Sequence, residues 1–84
     1  MSEQYVLYQQ GWCFFCRRVK AFLADAGIDI PMRDTMVDRE ADRELREGGG
    51  RGTVPCLKIT SEDGEVRWLY ESRDIIDYLQ AHAA

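Results

Sequence analysis

Basic residues, histidines and long apolar runs are all scarce in this sequence. The 84-residue chain has 15 acidic and 11 basic residues, and its net charge of −4 argues against a nucleic-acid partner, whose phosphates require a basic face. No apolar run approaches the roughly 20 residues that cross a bilayer. The first residues, MSEQYVLY, also lack the basic and apolar regions of a secretory signal. We therefore expect a cytoplasmic protein that binds neither nucleic acid nor membranes.

The cysteines and the single histidine do not suggest a disulfide scaffold or a zinc centre. The three cysteines are an odd number, and the cytosol is a reducing compartment, so structural disulfides are not expected. The single histidine, His82, and the pair Cys13 and Cys16 fall short of the four ligands of a structural zinc site. The cysteines are therefore expected to be reactive or buried thiols, and no metal site is predicted within one chain.

The composition is typical of one small globular domain that comprises residues 1–84. Hydrophobic residues make up 45% of the chain and charged residues 31%, as in soluble proteins that bury a core. A chain of this length is too short for two domains, because short chains bury a smaller fraction of their surface. No repeat, low-complexity tract or long linker divides the sequence.

The first half of the sequence predicts a strand, a helix and a second strand. Tyr5–Gln9 is a short apolar run, typical of a strand covered on both faces. A helix is expected to follow from Cys13, with a C-terminal cap at Gly27. Its apolar positions recur at helical spacing: Val19, Phe22, Leu23 and Ala26. Ile28–Met32 predicts the second strand, at a sheet edge because Pro31 has no amide hydrogen.

The second half predicts a helix, a β-hairpin and a closing helix. The second helix is marked by Val37, Ala41 and Leu45. It is expected to end at a glycine-rich stretch, Gly48–Gly52, which we interpret as a flexible connection because it lacks the Lys-Ser/Thr of a phosphate loop. Strand patterns at residues 53–59 and 66–70 flank Asp63-Gly64, a hairpin signal. The last helix begins near Ser72 and turns three apolar residues inward: Ile75, Ile76 and Leu79. The predicted order is β-α-β-α-β-β-α.

Cys13 and Cys16 form a Cys-x-x-Cys pair at the start of the first predicted helix. Within a βαβ pattern, such a pair is typical of a thioredoxin-like redox motif. The first amides of a helix lack partners and its dipole is positive at that end, so a thiolate at Cys13 would be stabilised there. Helical spacing leaves the two Cβ atoms about 5–6 Å apart, whereas a disulfide requires about 3.5–4.5 Å. We therefore expect Cys13 at the cap, exposed as the attacking thiol, and Cys16 recessed as the resolving thiol. The alternative is two buried, inert thiols.

Three motifs together give the chain a resemblance to glutaredoxins, which have the thioredoxin fold. The motifs are Trp12-Cys13-Phe14-Phe15-Cys16, Thr53-Val54-Pro55 and Glu71-Ser72-Arg73-Asp74-Ile75. The third is similar to the γ-glutamyl-binding helix start of glutathione S-transferase N-terminal domains, and Leu69-Tyr70 in place of a Gly-Gly pair also favours that branch. The resemblance covers the chain from about Tyr5 to Leu79. It implies an α/β thioredoxin-like fold with a mixed four-stranded sheet flanked by helices.

The resemblance also implies a glutathione-binding site. Pro55 would be a cis-proline that faces the thiols and turns the backbone of Val54, next to Thr53, toward the cysteinyl unit of glutathione. Ser72 and the free amides behind it would bind the γ-glutamyl carboxylate at the helix N-terminus, and Glu71 would hold the neighbouring ammonium. Ser72 is also expected to be the helix cap, a role that is compatible with binding the carboxylate, and without the resemblance Pro55 is interpreted as a turn residue.

Several residues depart from the family pattern or have a simpler interpretation. Phe14-Phe15 stands between the cysteines, where many glutaredoxins have Pro-Tyr. Gln10 stands where a basic residue is often found, so Arg51 or Arg17 becomes the candidate for binding the glycyl carboxylate. Cys56 follows the predicted cis-proline on a central strand, and we expect it to be a buried, inert thiol.

The sequence thus predicts a glutathione-dependent thiol–disulfide oxidoreductase. Cys13 would attack a protein disulfide or a glutathione mixed disulfide, and Cys16 or a second glutathione would then release the partner. Glutathione would be a co-substrate, no metal or organic cofactor would be obligatory, and we expect a monomer. Two alternatives remain open. In one, two chains share a [2Fe–2S] cluster through Cys13 and glutathione thiolates. In the other, thioredoxin reductase rather than glutathione is the reductant.

Overall fold

The computed structural model describes residues 2–83, in which a four-stranded mixed sheet lies between two layers of helix. The elements are β1 Gln4–Gln9, α1 Phe14–Ala26, β2 Met32–Asp34, α2 Arg39–Glu44 with a π-helical turn Leu45–Gly49, β3 Cys56–Thr60, β4 Val66–Leu69 and α3 Ser72–His82. The strand order is β2-β1-β3-β4. The predicted β-α-β-α-β-β-α order and the mixed four-stranded sheet are confirmed. None of the helices in the described part of the chain is long and apolar enough to span a membrane.

Side chains alternate along the central strands, so the sheet packs against helices on both faces. Leu7 of β1 and Leu57 of β3 face α1 and α3, whereas their neighbours Tyr8 and Cys56 face α2. The first core also contains Val19, Leu23, Ile30, Ile59, Ile75 and Leu79. The second contains Ala41 and Leu45. Strands that are buried on both faces are near-continuous apolar runs, which is the pattern that predicted β1.

The second strand begins later than predicted. We expected a strand at Ile28–Met32, but β2 comprises Met32–Asp34 at the sheet edge, where it pairs in parallel with β1. Pro31 has no amide hydrogen to donate to a ladder, although its carbonyl accepts the Leu7 amide at 3.0 Å. Ile30, only 9% exposed, packs in the core before the strand begins. These apolar residues therefore cover the core as a loop, and the edge position alone was predicted correctly.

Both ends of the second helix also differ from the prediction. Val37, which was expected to belong to this helix, lies before the start of α2 and is 81% exposed. The carboxylate of Asp38 accepts the Ala41 amide at 3.1 Å and caps the helix. At the other end, Gly48 and Gly49 belong to the π-helical turn and pack against aromatic side chains, so this part of the Gly48–Gly52 stretch is not a flexible connection. A Cβ on Gly48 would overlap the ring of Trp68, and a Cβ on Gly49 would overlap Tyr70.

The strand directions bring three distant segments to one end of the sheet, the end at which β1 and β4 terminate. Both β1 and β4 are antiparallel to their shared neighbour β3. The last residues of β1 and β4 and the first residue of β3 therefore lie at the same end of the sheet. The connections from β1 to α1 and from β4 to α3 start at this end of the sheet, so the N-termini of both helices lie next to the start of β3. The fold thus places all three sequence motifs together.

Candidate functional site

Cys13 lies at the N-cap of α1, just outside helical geometry. Its backbone is extended, with φ −83° and ψ 119°. The sulfur accepts the amide hydrogen of Cys16 at 3.1 Å, so it satisfies one of the helix donors that have no partner within the helix. On its other side the Cys13 thiol donates to the Val54 carbonyl, with 3.7 Å between sulfur and oxygen. The predicted position of Cys13 at the cap is confirmed, and its side chain is half-buried between these two partners.

Cys16 is recessed one turn into α1, as predicted. It is completely buried, and both cysteines are present as free thiols. Burial, and next a hydrogen bond to Cys13, raise the pKa of the Cys16 thiol to about 12. Cys16 is therefore protonated at neutral pH and cannot meet a reagent in solvent, whereas Cys13 can. The pair thus has one accessible sulfur and one protected sulfur.

A shallow cavity of about 260 Å³ is lined by Val54, whose carbonyl oxygen lies 3.7 Å from the Cys13 sulfur, although Cys13 itself does not line the cavity. Its lining residues are Phe15, Arg51, Thr53, Val54, Pro55, Tyr70, Glu71 and Ser72. All five residues that were predicted to bind glutathione therefore share one cavity, and the Val54 carbonyl connects that cavity to the thiol of Cys13. A larger cavity of about 690 Å³ lies where the C-terminal ends of α1 and α3 meet β1, and no cysteine lines it.

The Val54–Pro55 peptide bond is cis, which confirms the expectation from the resemblance. Val54 lies before β3, whose pairing with β1 begins at Cys56, so the backbone of Val54 is outside the sheet ladder. A peptide placed in the cavity could therefore pair with the Val54 backbone as a short added strand.

Glu71, not Ser72, is the N-cap of α3. Glu71 has an extended backbone (φ −90°, ψ 134°), and its side chain makes no capping hydrogen bond. Ser72 is the first helical residue and is only 7% exposed, so the cap role that the sequence suggested for it is wrong. This 11-residue helix therefore begins without a side-chain capping hydrogen bond, and the two residues at its start, Glu71 and Ser72, both line the cavity. An anion is the natural partner for the amides at such a helix start.

Arg51 is the cation that lines this cavity. Of the two candidates, only Arg51 is among the lining residues, whereas Arg17 lies on the exposed side of α1. Gln10 does not take this place, since its amide donates to Thr35 Oγ1 at 3.0 Å. The Arg51 guanidinium lies 4.3 Å above the centre of the Tyr70 ring.

Sequence reasoning missed Tyr70. Its hydroxyl donates to the Arg51 carbonyl at 2.8 Å and accepts the Arg51 amide hydrogen at 3.3 Å. Tyr70 directly precedes Glu71, so it ties the Arg51 segment to the start of α3. The alternation of Val66, Trp68 and Tyr70 could have placed the ring on the α2 face of the sheet, but no pattern in the sequence points to its contact with Arg51.

Cys56 stays outside the thiol site. It is completely buried on the α2 face of β3, among Tyr8, Ala41 and Leu45. Burial raises the pKa of the Cys56 thiol to about 12, against a smaller lowering contribution from its hydrogen bond with Tyr70. The prediction of a buried thiol is confirmed.

The chain is similar to known proteins over most of its length. The chain matches the family of the glutathione S-transferase N-terminal domain over residues 12–82. A search of curated proteins gives no match. Glutaredoxin from Brucella melitensis is similar in structure at 22% identity and a TM-score of 0.59, with 95% of this chain and 80% of that chain covered.

Two longer enzymes also share this fold. Maleylacetoacetate isomerase from Anaeromyxobacter dehalogenans, solved with bound glutathione, has 26% identity and a TM-score of 0.69 over 95% of this chain and 38% of that chain. Glutathione transferase Omega 2S from Trametes versicolor has 20% identity and a TM-score of 0.73 over 96% of this chain and 38% of that chain. The chain thus spans well under half the length of these two enzymes. Since the family match extends over most of the sequence and the fold is that of thioredoxin-like proteins, the chain belongs to the family of glutathione S-transferase N-terminal domains.

Proposed function

We propose that this protein is a glutathione-dependent thiol–disulfide oxidoreductase in which Cys13 is the nucleophile and Cys16 the resolving thiol. The observation that carries the proposal is the position of the Cys13 sulfur. It accepts a helix amide at 3.1 Å and lies 3.7 Å from the carbonyl of Val54, which lines the adjacent cavity. Family membership supports a glutathione-related activity, and the pair of thiols favours redox chemistry over conjugation.

The cavity offers complementary groups for each part of glutathione. The Val54 backbone would pair with the cysteinyl unit, with Thr53 and Pro55 forming the wall around it. The free amides at Ser72 would take the γ-glutamyl carboxylate, and Glu71 the ammonium beside it. Arg51 would bind the second carboxylate of the tripeptide. A peptide paired with Val54 has its own sulfur close to Cys13, which is the arrangement that thiol exchange requires.

With a glutathionylated protein, the reaction is two successive thiol exchanges. The Cys13 thiolate attacks the glutathione sulfur of the mixed disulfide, so a Cys13–glutathione disulfide forms and the protein leaves as a thiolate that takes up a proton. The thiolate of a second glutathione then attacks the glutathione sulfur bound to Cys13. Oxidised glutathione leaves and the Cys13 thiolate is regenerated. Each cycle therefore consumes one free glutathione, and the other half of the oxidised glutathione is the glutathione that was bound to the protein.

With a protein disulfide, Cys16 completes the first half of the reaction. Cys13 forms a mixed disulfide with one partner sulfur, and the Cys16 thiolate then attacks the Cys13 sulfur and releases the partner as a dithiol. Burial is the largest cause of the raised pKa of Cys16, and the hydrogen bond to Cys13 is the second. Formation of the mixed disulfide removes the second cause, so Cys16 loses its proton more readily only after Cys13 has reacted. Two glutathione molecules then reduce the Cys13–Cys16 disulfide.

The test is turnover of a glutathionylated peptide and of a protein disulfide by the wild type, Cys13→Ser and Cys16→Ser. We expect Cys13→Ser to lose both activities. Cys16→Ser should keep the first activity and lose the second. Cys56→Ala is the matched control, because it removes a buried thiol outside the site and should leave both rates unchanged. Turnover that survives in Cys13→Ser would reject the proposal. A brown protein after purification without oxygen would instead favour the cluster-binding alternative.

A further inference from the structure

The charge around the thiol pair has the opposite sign to that of the chain. Residues 10–24 contain Arg17, Arg18 and Lys20 but no acidic residue, and residues 50–55 contain Arg51 and again no acidic residue. All 15 acidic residues therefore lie elsewhere, in a chain whose net charge is −4. Of the three segments that form the site, only the one at Glu71 contributes acidic groups.

Helix stability does not account for these cations. Arg17 and Arg18 are exposed near the N-terminus of α1, where the helix dipole favours acidic side chains, and the first turn of α1 contains no acidic residue. Neither arginine is needed to fill the core, since the α1 residues buried against the sheet are Val19 and Leu23. Folding therefore does not explain why Arg17 and Arg18 are at these positions, which suggests that they serve a function.

Three exposed aromatic residues lie within two positions of Cys13 in the chain. Trp12 is 90% exposed, Phe14 65% and Phe15 52%. The rings of Phe14 and Phe15 contact each other edge to face at 5.3 Å, and Phe15 also lines the cavity, so the aromatic surface is continuous with it. Side chains three and four residues apart on a helix are neighbours, which puts Arg17 and Arg18 beside Phe14. Exposed aromatic groups combined with arginine are typical of protein-binding surfaces.

We propose that this surface, formed by Trp12, Phe14, Phe15, Arg17 and Arg18 and called here the aromatic–basic rim, selects protein substrates whose reactive cysteine is flanked by acidic and apolar side chains. The inference rests on the proposed function and names the substrate class of the same site. Carboxylates of the substrate pair with the two guanidinium groups, and apolar side chains pack on the exposed rings. The acidic remainder of the chain affects the encounter little, because charges more than about 8 Å away are screened at physiological salt.

The experiment compares two glutathionylated peptides of equal length whose modified cysteine is flanked by Glu and Leu in one and by Lys and Ser in the other. The wild type should favour the acidic peptide about three- to tenfold in kcat/KM, as a few partly exposed contacts allow. Arg17→Glu should abolish or invert the preference, and Phe14→Ser should reduce it. Arg39→Glu is the matched control. Arg39 is exposed at the start of α2 and does not line the cavity, so the same charge reversal there should leave the ratio unchanged.

A small substrate, the mixed disulfide of glutathione and 2-mercaptoethanol, distinguishes a failure of this inference from a failure of the proposed function. Every variant is normalised to its rate with this substrate, which carries no peptide side chains beside the reacting sulfur, so any effect on the thiol itself cancels. A wild type that turns over this substrate but treats both peptides equally overturns the inference and leaves the proposed function standing. An equal shift with Arg39→Glu also overturns it. A wild type that is inactive with all three substrates rejects the proposed function, and the inference with it.

Discussion

Replacing Gly49 with alanine should destabilise the fold by about 1–3 kcal/mol, because the added methyl group overpacks the turn after α2. The backbone itself would accept alanine, since Gly49 is not one of the glycines with positive φ. A Cβ at Gly49 would overlap the Tyr70 hydroxyl and would lie 2.9 Å from ring atom Cζ and 3.1 Å from Cε2. Tyr70 cannot move away freely, because its hydroxyl donates to the Arg51 carbonyl at 2.8 Å and its ring stacks under the Arg51 guanidinium. In an unstrained helical turn, alanine ordinarily stabilises the fold by up to about 1 kcal/mol relative to glycine. The sign of the stability change therefore distinguishes overpacking from an unstrained turn.

The measurement is the urea midpoint and slope of unfolding for Gly49→Ala. Gly11→Ala is the matched control. A Cβ at Gly11 meets nothing within 4 Å and its φ is not positive, so this variant should be neutral or up to about 1 kcal/mol more stable. Adding Tyr70→Phe removes the atom closest to the new methyl group, so the double variant should lose less stability than the sum of the single variants. A Gly49→Ala protein as stable as the wild type would show that Tyr70 does not pack on this turn as described.

Two further predictions concern ionisable groups. Iodoacetamide at about pH 8 should label Cys13 in the folded protein and leave Cys16 and Cys56 unmodified, because burial raises the pKa of both buried thiols to about 12. Peptide mass spectrometry checks this, and labelling of Cys16 as fast as Cys13 would contradict its recessed position. Asp38→Ala should be less stable than the wild type at neutral pH, since the Ala41 amide, and then Arg33, lower the pKa of the Asp38 carboxyl. A lowered pKa stabilises the fold above the unfolded value of about 3.9 and ceases to do so as pH falls through the folded value. Urea unfolding at several pH values should therefore show the two proteins converging in acid; a constant gap would contradict this reasoning.

The parts of the fold that the sequence predicted are encoded within a few neighbouring residues. The end of α1 is one case, because Gly27 adopts the left-handed conformation, with φ 70°, that the cap requires. The hairpin is another. Gly64 has φ 90°, and its amide donates to the Ser61 carbonyl at 2.9 Å to close the turn between β3 and β4. Glycine at such a position is a local requirement that no distant contact can change.

The errors lie where contacts between distant residues override the local pattern. Ile28–Met32 has the composition of a strand, yet Ile30 is used in the core beside α1 and the ladder begins only after Pro31. The glycines after α2 have the composition of a flexible connection. They are instead required because Trp68 and Tyr70, about twenty positions further along the chain, pack directly on the backbone of Gly48 and Gly49. A high glycine content indicates a flexible backbone, but it does not indicate which side chain will pack in the space that a missing Cβ leaves.

The site as a whole depends on strand direction, which local patterns do not determine. The hairpin signal makes β3 and β4 antiparallel, but nothing near Tyr8 indicates that β1 will pair with β3 at Cys56 and run antiparallel to it. If β1 ran parallel to β3, the starts of α1 and α3 would lie at opposite ends of the sheet. Cys13 would then be a capped thiol with no cavity beside it. At the level of the sequence, the resemblance to known proteins implied a mixed four-stranded sheet and a proline that faces the thiols, but it did not specify this pairing. In the structure, Tyr70 then joins the segments by bonding the Arg51 backbone next to the start of α3. Substitutions in any of the three segments should therefore be coupled to one another through this cavity, although the segments are far apart in the chain.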